Sequence, residues 1–203
     1  MNIAVFASGN GSNFQAIAEA VKTKKIKASL ALLVCDKPGV FVLDRAKKLK
    51  IDSFLIEKKN FPCKEDYEKE ILKKLKENNI GLIVLAGYMK MVGPDILKAY
   101  KGRILNIHPA LLPAFKGTDG IKDAFEYGVK VTGPTVHFVD EEMDNGPIVM
   151  QAEVEVEDDD TQESLAEKIH KAEHRIYPEA IRLFTEGRLK IIGRRVKIRG
   201  DKG

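Results

Sequence analysis

The sequence predicts an α/β fold: a doubly wound, mostly parallel sheet with antiparallel strands added in the carboxyl-terminal half. Short apolar segments alternate with amphipathic segments of helical period up to residue 108. Residues 81–86 (GLIVLA) are apolar throughout, as expected of a central strand that is covered on both faces. Residues 131–139 and 148–156 instead alternate apolar and polar side chains around an acidic loop, which predicts an antiparallel pair.

The other elements follow in chain order. Strands are predicted at 2–7, 29–34, 53–56 and 104–108, and helices at 14–21, 41–50, 63–79, from Pro94 onward and at 116–127. The charged face of the 63–79 helix is expected to be solvated. Asp160 and Glu163 predict a capping box for a last long helix, which Pro178 should kink. Residues 189–192 are expected to add an edge strand, and 194–203 to form a loose terminus.

Composition indicates an ordinary globular protein, and we predict a single domain over residues 1–203. The 34 Lys and Arg nearly balance the 30 Asp and Glu, for a net charge of +4, which argues against nucleic-acid binding. Cys35 and Cys63 form no CxxC pair, so neither a disulfide framework nor a zinc site is expected. No signal peptide or membrane-length apolar segment is visible, which predicts a cytoplasmic protein.

The turn after the first strand, residues 8–13 (SGNGSN), is a candidate anion site. Gly9 and Gly11 permit a tight turn, and the following helix presents free N–H groups and its positive dipole end. A phosphate monoester is the natural ligand of such a turn. The spacing is neither that of a P-loop nor GxGxxG, so ATP or dinucleotide binding is disfavoured. A plain strand-to-helix turn capped by Ser or Asn is the alternative.

The strand at 104–108 carries a second candidate site. Asn106 and His108 point to the same side because side chains alternate along a strand. An amide donor beside an imidazole, at the carboxyl end of a strand, suits addition to a carbonyl. The alternative is a capping Asn and a hydrogen-bonded structural His, and these two residues do not decide between the readings.

Five motifs together resemble the folate-dependent formyltransferases, and among them the glycinamide ribonucleotide transformylases. In order between residues 8 and 178 they are SGNGSN, LAGYM, NIHPALLP, TVHFVDEEMDNGPI and EHRIYP. The resemblance implies a Rossmann-like formyltransferase fold. It also implies transfer of the formyl group of 10-formyltetrahydrofolate, as co-substrate and without a metal, to the amine of 5-phosphoribosylglycinamide in de novo purine biosynthesis.

The resemblance also implies roles for individual residues. In direct attack through a tetrahedral intermediate, Asn106 would donate to the oxyanion and His108 would assist with protons. Asp144 would hold the His108 ring and raise its pKa. The residues implied to bind phosphoribosylglycinamide are Gly11, Ser12, Asn13, Pro109 and Glu173. Those implied to bind folate are Lys64, Leu85, Met89, Lys90, Met91, Val92, Asn106, His137, Asp140 and Asp144.

Several of these residues also have structural readings. Glu173 could be an exposed helix acid, Met89 and Met91 ordinary core, and His137 a structural histidine. Lys64 stands where many family members have Arg, so the bidentate contact of a guanidinium is lost. The segment 116–120 lacks the GxH of many relatives, and we assign it no catalytic role.

Three other functions were weighed. A methionyl-tRNA formyltransferase would need a further carboxyl-terminal domain, and a formyltetrahydrofolate deformylase usually has a regulatory domain before the first strand. A non-catalytic phosphate-binding module would account for SGNGSN but not for Asn106, His108 and the acidic loop together. We therefore expect small-molecule substrates, no nucleic-acid or membrane partner, and a monomer or homodimer.

Overall fold

The computed structural model describes residues 1 to 200, and these form two compact units, residues 1–105 and a second unit that begins at Asn106. The prediction of a single domain over 1–203 stays a prediction. No helix among residues 1 to 200 is long and apolar enough to cross a membrane. The predicted terminal residues 201–203 lie outside the described part of the chain.

The first unit alternates strands and helices as predicted. Its elements are β1 (Asn2–Ala7), α1 (Ser12–Lys22), β2 (Ser29–Cys35), α2 (Phe41–Leu49), β3 (Ser53–Leu55), a 3-10 turn (Lys58–Asn60), α3 (Lys64–Glu77), β4 (Ile80–Leu85), α4 (Pro94–Ala99) and the start of β5 (Ile104–His108). The strands are parallel in the order β4-β1-β2-β3, and Val5 pairs with Leu33 on one side and Val84 on the other.

The carboxyl ends of β1 and β4 are joined by hydrogen bonds. Ser8 donates its N–H to the Gly87 carbonyl at 3.0 Å, and the Ser8 hydroxyl accepts from the Met89 N–H at 2.9 Å. The apolar residues of β1 and β4 are almost wholly buried, as expected of strands with helices on both faces. The turn after β1 and the segment after β4 therefore meet at one edge of the parallel sheet.

The second unit contains the antiparallel additions. Its elements are the end of β5, α5 (Gly120–Tyr127), β6 (Val131–Thr132), β7 (Thr135–Phe138), β8 (Ile148–Gln151), β9 (Val154–Glu155), α6 (Gln162–Thr185), β10 (Leu189–Ile192) and β11 (Arg195–Ile198). Strands β7 and β8 are antiparallel, as are β10 and β11, in the order β10-β11-β8-β7, and β6 pairs with β9 in a separate sheet.

The two long strands predicted at 131–139 and 148–156 are therefore each divided in two. At Gly133 the backbone has φ +144°, and a Cβ there would overlap the carbonyl oxygen of Ala152. Pro134 follows and has no N–H to offer a strand partner. The close approach of two backbones at a glycine lets β6 and β9 leave the main pairing and form their own sheet.

Three further predictions need correction. The capping box of α6 is formed by Thr161 and Ser164, not by Asp160 and Glu163, because the Thr161 hydroxyl accepts from the Ser164 N–H and the Ser164 hydroxyl from the Thr161 N–H. Residues Arg195–Ile198, expected in a loose terminus, form β11. On α3, Glu68 is only 3% exposed, although the charged face of that helix was expected to be solvated.

Candidate active site

Four polar side chains cluster in the second unit, at the end of β5 and on β7 and the loop after it. The Asp144 carboxylate lies at the centre, with Oδ2 3.4 Å from His108 Nδ1 and Oδ1 3.5 Å from Asn106 Nδ2. His137 Nε2 lies 3.6 Å from Oδ1 of the same carboxylate. Asn106 and His108 both face Asp144, which is the arrangement that the alternation along β5 predicts.

Asp144 is held by its backbone and by a neighbouring loop. It adopts a left-handed conformation with φ +48°, and its Oδ2 accepts a hydrogen bond from the Gly117 N–H at 2.9 Å. Burial raises the pKa of the carboxyl, but the contact with His137, the hydrogen bond from Gly117 and the nearness of the two imidazoles outweigh burial and leave the pKa below its ordinary value. The group is therefore a carboxylate at neutral pH.

His108 is oriented by a hydrogen bond through one of its ring nitrogens. Its Nε2 lies 2.7 Å from the Phe115 carbonyl oxygen, which can only accept, so Nε2 carries a proton and Nδ1 faces Asp144. Burial lowers the pKa of the imidazole, and the opposing effects of Asp144 and the carbonyl are smaller, so the pKa lies below its ordinary value. Asp144 does raise the pKa of His108, as predicted, but desolvation of the ring outweighs this effect, so the net shift is downward.

His137 sets the position of the Asn106 amide. Its Nδ1 donates to the Phe138 carbonyl at 2.8 Å, so in the neutral ring Nε2 is an acceptor. Asn106 Nδ2 lies 3.1 Å from that nitrogen. With a second contact to Asp144, the amide nitrogen of Asn106 is fixed as a donor at this site.

The segment between His108 and α5 contributes through backbone atoms, which the sequence analysis missed. The carbonyl of Phe115 and the N–H of Gly117 bind His108 and Asp144, and both residues have positive φ, +51° and +104°. Gly120 packs against the same ring, and a Cβ there would lie 3.1 Å from His108 Nε2. Only the spacing of the glycines in this segment could have indicated these contacts, because a backbone N–H or carbonyl is the same whatever side chain the residue carries.

The candidate phosphate turn belongs to the first unit. Gly11 precedes α1 with φ +77°, and a Cβ there would overlap the Val42 side chain of α2. Arg45, also on α2, donates from Nε to the Asn10 carbonyl at 2.9 Å and from a terminal nitrogen to Asn10 Oδ1 at 3.0 Å. Ser12 and Asn13 are the first residues of α1, where backbone N–H groups lack intrahelical partners.

The predicted folate residues are divided between the units. Of those in the first unit, Leu85 ends β4, and Val92 is partly buried. Met89 and Met91 are 61% and 56% exposed, so their reading as ordinary core is wrong. In the second unit, Asp140 accepts from the Glu142 N–H at 3.1 Å within its own loop.

The remaining predicted substrate residues lie in the second unit. Pro109 directly follows His108 at the end of β5. Glu173, on α6, is 4% exposed, so its reading as an exposed helix acid is wrong. Its Oε2 accepts from His170 Nδ1 at 2.9 Å, and this hydrogen bond raises the pKa of His170 against the effect of burial.

Among residues 1 to 200, no group of three or more His, Cys, Asp or Glu side chains is arranged to hold a metal ion. The cluster around Asp144 instead combines a donor amide, two imidazoles and one carboxylate, which is suited to proton transfer and to stabilising a developing oxyanion.

The mostly parallel sheet has a Rossmann-like architecture, the cluster around Asp144 carries groups suited to acyl transfer, and comparison with known proteins gives the family. The family model described as formyl transferase matches residues 1–181, and the chain belongs to the formyl transferase family.

Similar proteins share a more specific name. Phosphoribosylglycinamide formyltransferase of Bacillus subtilis (strain 168) is 51% identical over 179 residues, covering 88% of this chain and 92% of that protein. The protein of the same name from Escherichia coli (strain K12) is 39% identical over 191 residues, covering 94% and 90%. The crystal structure of glycinamide ribonucleotide transformylase 1 from Symbiobacterium toebii matches with a TM-score of 0.97 and 44% identity, covering 98% of this chain and 94% of that one.

Proposed function

We propose that this chain transfers the formyl group of 10-formyltetrahydrofolate to the amine of 5-phosphoribosylglycinamide. The observation that supports this proposal most is the contact of one carboxylate, Asp144, with both the Asn106 amide and the His108 imidazole. The shared name of the Bacillus subtilis and Escherichia coli relatives supports the choice of the acceptor substrate.

In the proposed reaction, the amine nitrogen attacks the formyl carbon and the carbonyl electrons move to oxygen. Asn106 donates an N–H to this oxyanion. The Nε2–H of His108 changes its hydrogen-bond acceptor from the Phe115 carbonyl to the oxyanion, because a charged oxygen is the stronger acceptor. Each donor exchanges one existing contact for the oxyanion, and in Asn106 the longer contact, 3.5 Å to Asp144, is the one that is replaced.

The second half of the reaction transfers protons. The attacking amine releases one proton as the new C–N bond forms, and the folate nitrogen gains one as its bond to the formyl carbon breaks. His108 has a lowered pKa and is neutral at pH 7, so its Nδ1 can accept the proton from the amine. Asp144 stabilises the resulting imidazolium until that proton passes to the folate nitrogen.

We assign substrate contacts within each unit separately. In the first unit, Gly11, Ser12 and Asn13 bind the 5′-phosphate through backbone N–H groups and the helix dipole. In the second, Pro109 and Glu173 contact the rest of the ribonucleotide, with Glu173 accepting from ribose hydroxyls. The hydrogen bond from His170 orients the buried Glu173 carboxylate, which supports this role.

For the folate we assign a second set of contacts. Residues 89–92 offer backbone groups and apolar side chains, together with Leu85 and Lys64. Within the second unit, taken by itself, we assign folate contacts to His137, Asp140, Asn106 and Asp144. We also propose that the enzyme acts in the cytoplasm as a monomer or homodimer, on small-molecule substrates and without a metal.

One assay tests the function. Purified protein is mixed with 10-formyltetrahydrofolate, with and without phosphoribosylglycinamide, and loss of the formyl group is followed by absorbance. Turnover that requires the ribonucleotide supports the proposal. Turnover without it would indicate a deformylase, and phosphate binding with no turnover in either mixture would indicate a binding module.

A further inference from the structure

Two buried carboxylates lie beneath the segment after β4, and the proposed reaction uses neither. Asp36 directly follows β2, with a side chain that is 1% exposed, and Glu68 lies on α3 with a side chain that is 4% exposed. Ionisable side chains are seldom buried without a partner, because the loss of hydration must be offset. Both carboxylates face residues of the segment between β4 and α4.

Asp36 holds Lys90. The Lys90 ammonium lies 3.3 Å from Asp36 Oδ2, and the lysine side chain is 33% exposed. Within residues 1 to 200, neither carboxylate oxygen of Asp36 makes a hydrogen bond. The ion pair with Lys90 is therefore the contact that offsets the burial of this carboxylate.

Glu68 holds the other end of the segment. Its carboxylate accepts a hydrogen bond from the Gly93 N–H, and a Cβ on Gly93 would overlap its oxygens. Lys64, one turn earlier on α3, places its ammonium 3.6 Å from Glu68 Oε1. Burial raises the pKa of Glu68, and the lysine opposes that rise. The same carboxylate thus contacts both Lys64 and the start of α4.

Neutral contacts complete the attachment of this segment. The hydroxyls of Tyr88 and Tyr67 are 2.7 Å apart, and the Met89 N–H donates to Ser8 Oγ at 2.9 Å. With the backbone held on its inner side, the side chains of Met89 and Met91 project outward. They form an apolar surface of the kind on which a flat heteroaromatic ring packs.

We infer that Asp36 and Glu68 are positioning residues for folate recognition. They anchor residues 89–92 through Lys90 and through the adjoining Gly93, and Glu68 also holds the ammonium group of Lys64. This inference rests on the proposed function, because that function assigns the segment to folate. A segment that is ordered before binding loses less entropy on binding. Loss of either anchor should therefore weaken folate binding and leave the chemical step unchanged.

The test uses neutral variants of similar size, Asp36→Asn and Glu68→Gln. Glu70→Gln on the same helix is the control, since that side chain is 43% exposed. In the ligand-free protein, amide hydrogen exchange of residues 87–93 should accelerate about tenfold in both variants and not in the control. The KM for 10-formyltetrahydrofolate should also rise about tenfold, with kcat and the KM for the ribonucleotide unchanged.

A double variant tests the ion pair itself. Lys90→Met leaves the Asp36 carboxylate buried without a charge partner. The amides of residues 87–93 should therefore exchange faster in Lys90→Met than in Asp36→Asn/Lys90→Met, in which the carboxylate charge is also removed. Equal exchange in Lys90→Met and in Asp36→Asn/Lys90→Met overturns the role of the Asp36–Lys90 ion pair in holding the segment. A parallel rise in both KM values overturns the specific role in folate recognition.

The two proposals can fail separately. If the unaltered protein transfers no formyl group, the proposed function fails, yet hydrogen exchange still shows whether the two carboxylates hold the segment. If the unaltered protein is active and the variants keep its KM for folate, the positioning role is overturned while the function stands.

Discussion

Nδ1 of His108 lies 3.4 Å from Oδ2 of Asp144, while Nε2 of the same ring donates to the Phe115 carbonyl at 2.7 Å. The Phe115 carbonyl thus orients the ring, and the proton of the neutral ring is on the nitrogen that faces away from the carboxylate. A proton accepted at Nδ1 would complete an ion pair with Asp144. In this buried pair, His108 can accept a proton and Asp144 can stabilise the positive charge that results.

Removal of either member of this pair should reduce the chemical step. We expect His108→Ala and Asp144→Ala each to lower kcat by about 10²- to 10⁴-fold, because acid–base help and stabilisation of the imidazolium are lost. The measurement is steady-state formyl transfer followed by absorbance. Glu141→Gln, an exposed acid of the same loop, is the control and should keep normal turnover. Normal rates in either alanine variant would remove that residue from the mechanism.

His108 and His170 should affect stability in opposite directions. Burial lowers the pKa of His108 below 6.5, so the unfolded chain binds the proton more readily and the folded protein loses stability as the pH falls through 6.5. The hydrogen bond to Glu173 raises the pKa of His170 above 6.5, so its contribution is present below pH 6.5 and is lost as the pH rises through the folded value.

Denaturant unfolding between pH 5 and 8 measures these contributions. His108→Gln should lose less stability on acidification than the unaltered protein, and His170→Gln should lose more. Because the two expected changes have opposite signs, a general effect of substitution cannot produce both. An unchanged pH slope in His108→Gln would contradict the lowered pKa.

Gly11 should be required for the turn after β1. Gly11→Ala is expected to cost about 1–2 kcal/mol of unfolding free energy from the left-handed backbone alone, and more from overlap with Val42. The matched control is Gly9→Ala, because no atom lies within 4 Å of a Cβ at Gly9. Thermal or denaturant unfolding of both variants provides the comparison, and equal stabilities would contradict the packing of α2 on this turn.

The capping of α6 gives a further prediction. Thr161→Ala should destabilise the protein by about 1 kcal/mol, because the Ser164 N–H loses its acceptor. Glu163→Ala should have little effect, since Glu163 is exposed and the capping box does not include it. Denaturant titration distinguishes the two, and a larger loss for Glu163→Ala would restore the cap that the sequence predicted.

Local patterns were sufficient for the alternation of strands and helices and for the common direction of Asn106 and His108. These depend on the periods of helix and strand, which neighbouring residues set. The division of residues 131–139 was not predictable in the same way. It depends on the approach of Gly133 to the Ala152 backbone, a contact between strands that neither segment encodes alone.

The motifs identified the functional side chains, but only the tertiary structure decided their environment. A carboxylate near His108 could be expected from the resemblance, whereas the direction of its pKa shift could not, because desolvation sums the effects of residues from many parts of the chain. The charge pattern of α3 predicts that Glu68 is exposed to solvent. Only the tertiary structure shows that its carboxylate is buried against Gly93. The sequence determined which chemical groups are present, and packing determined their charge, partners and exposure.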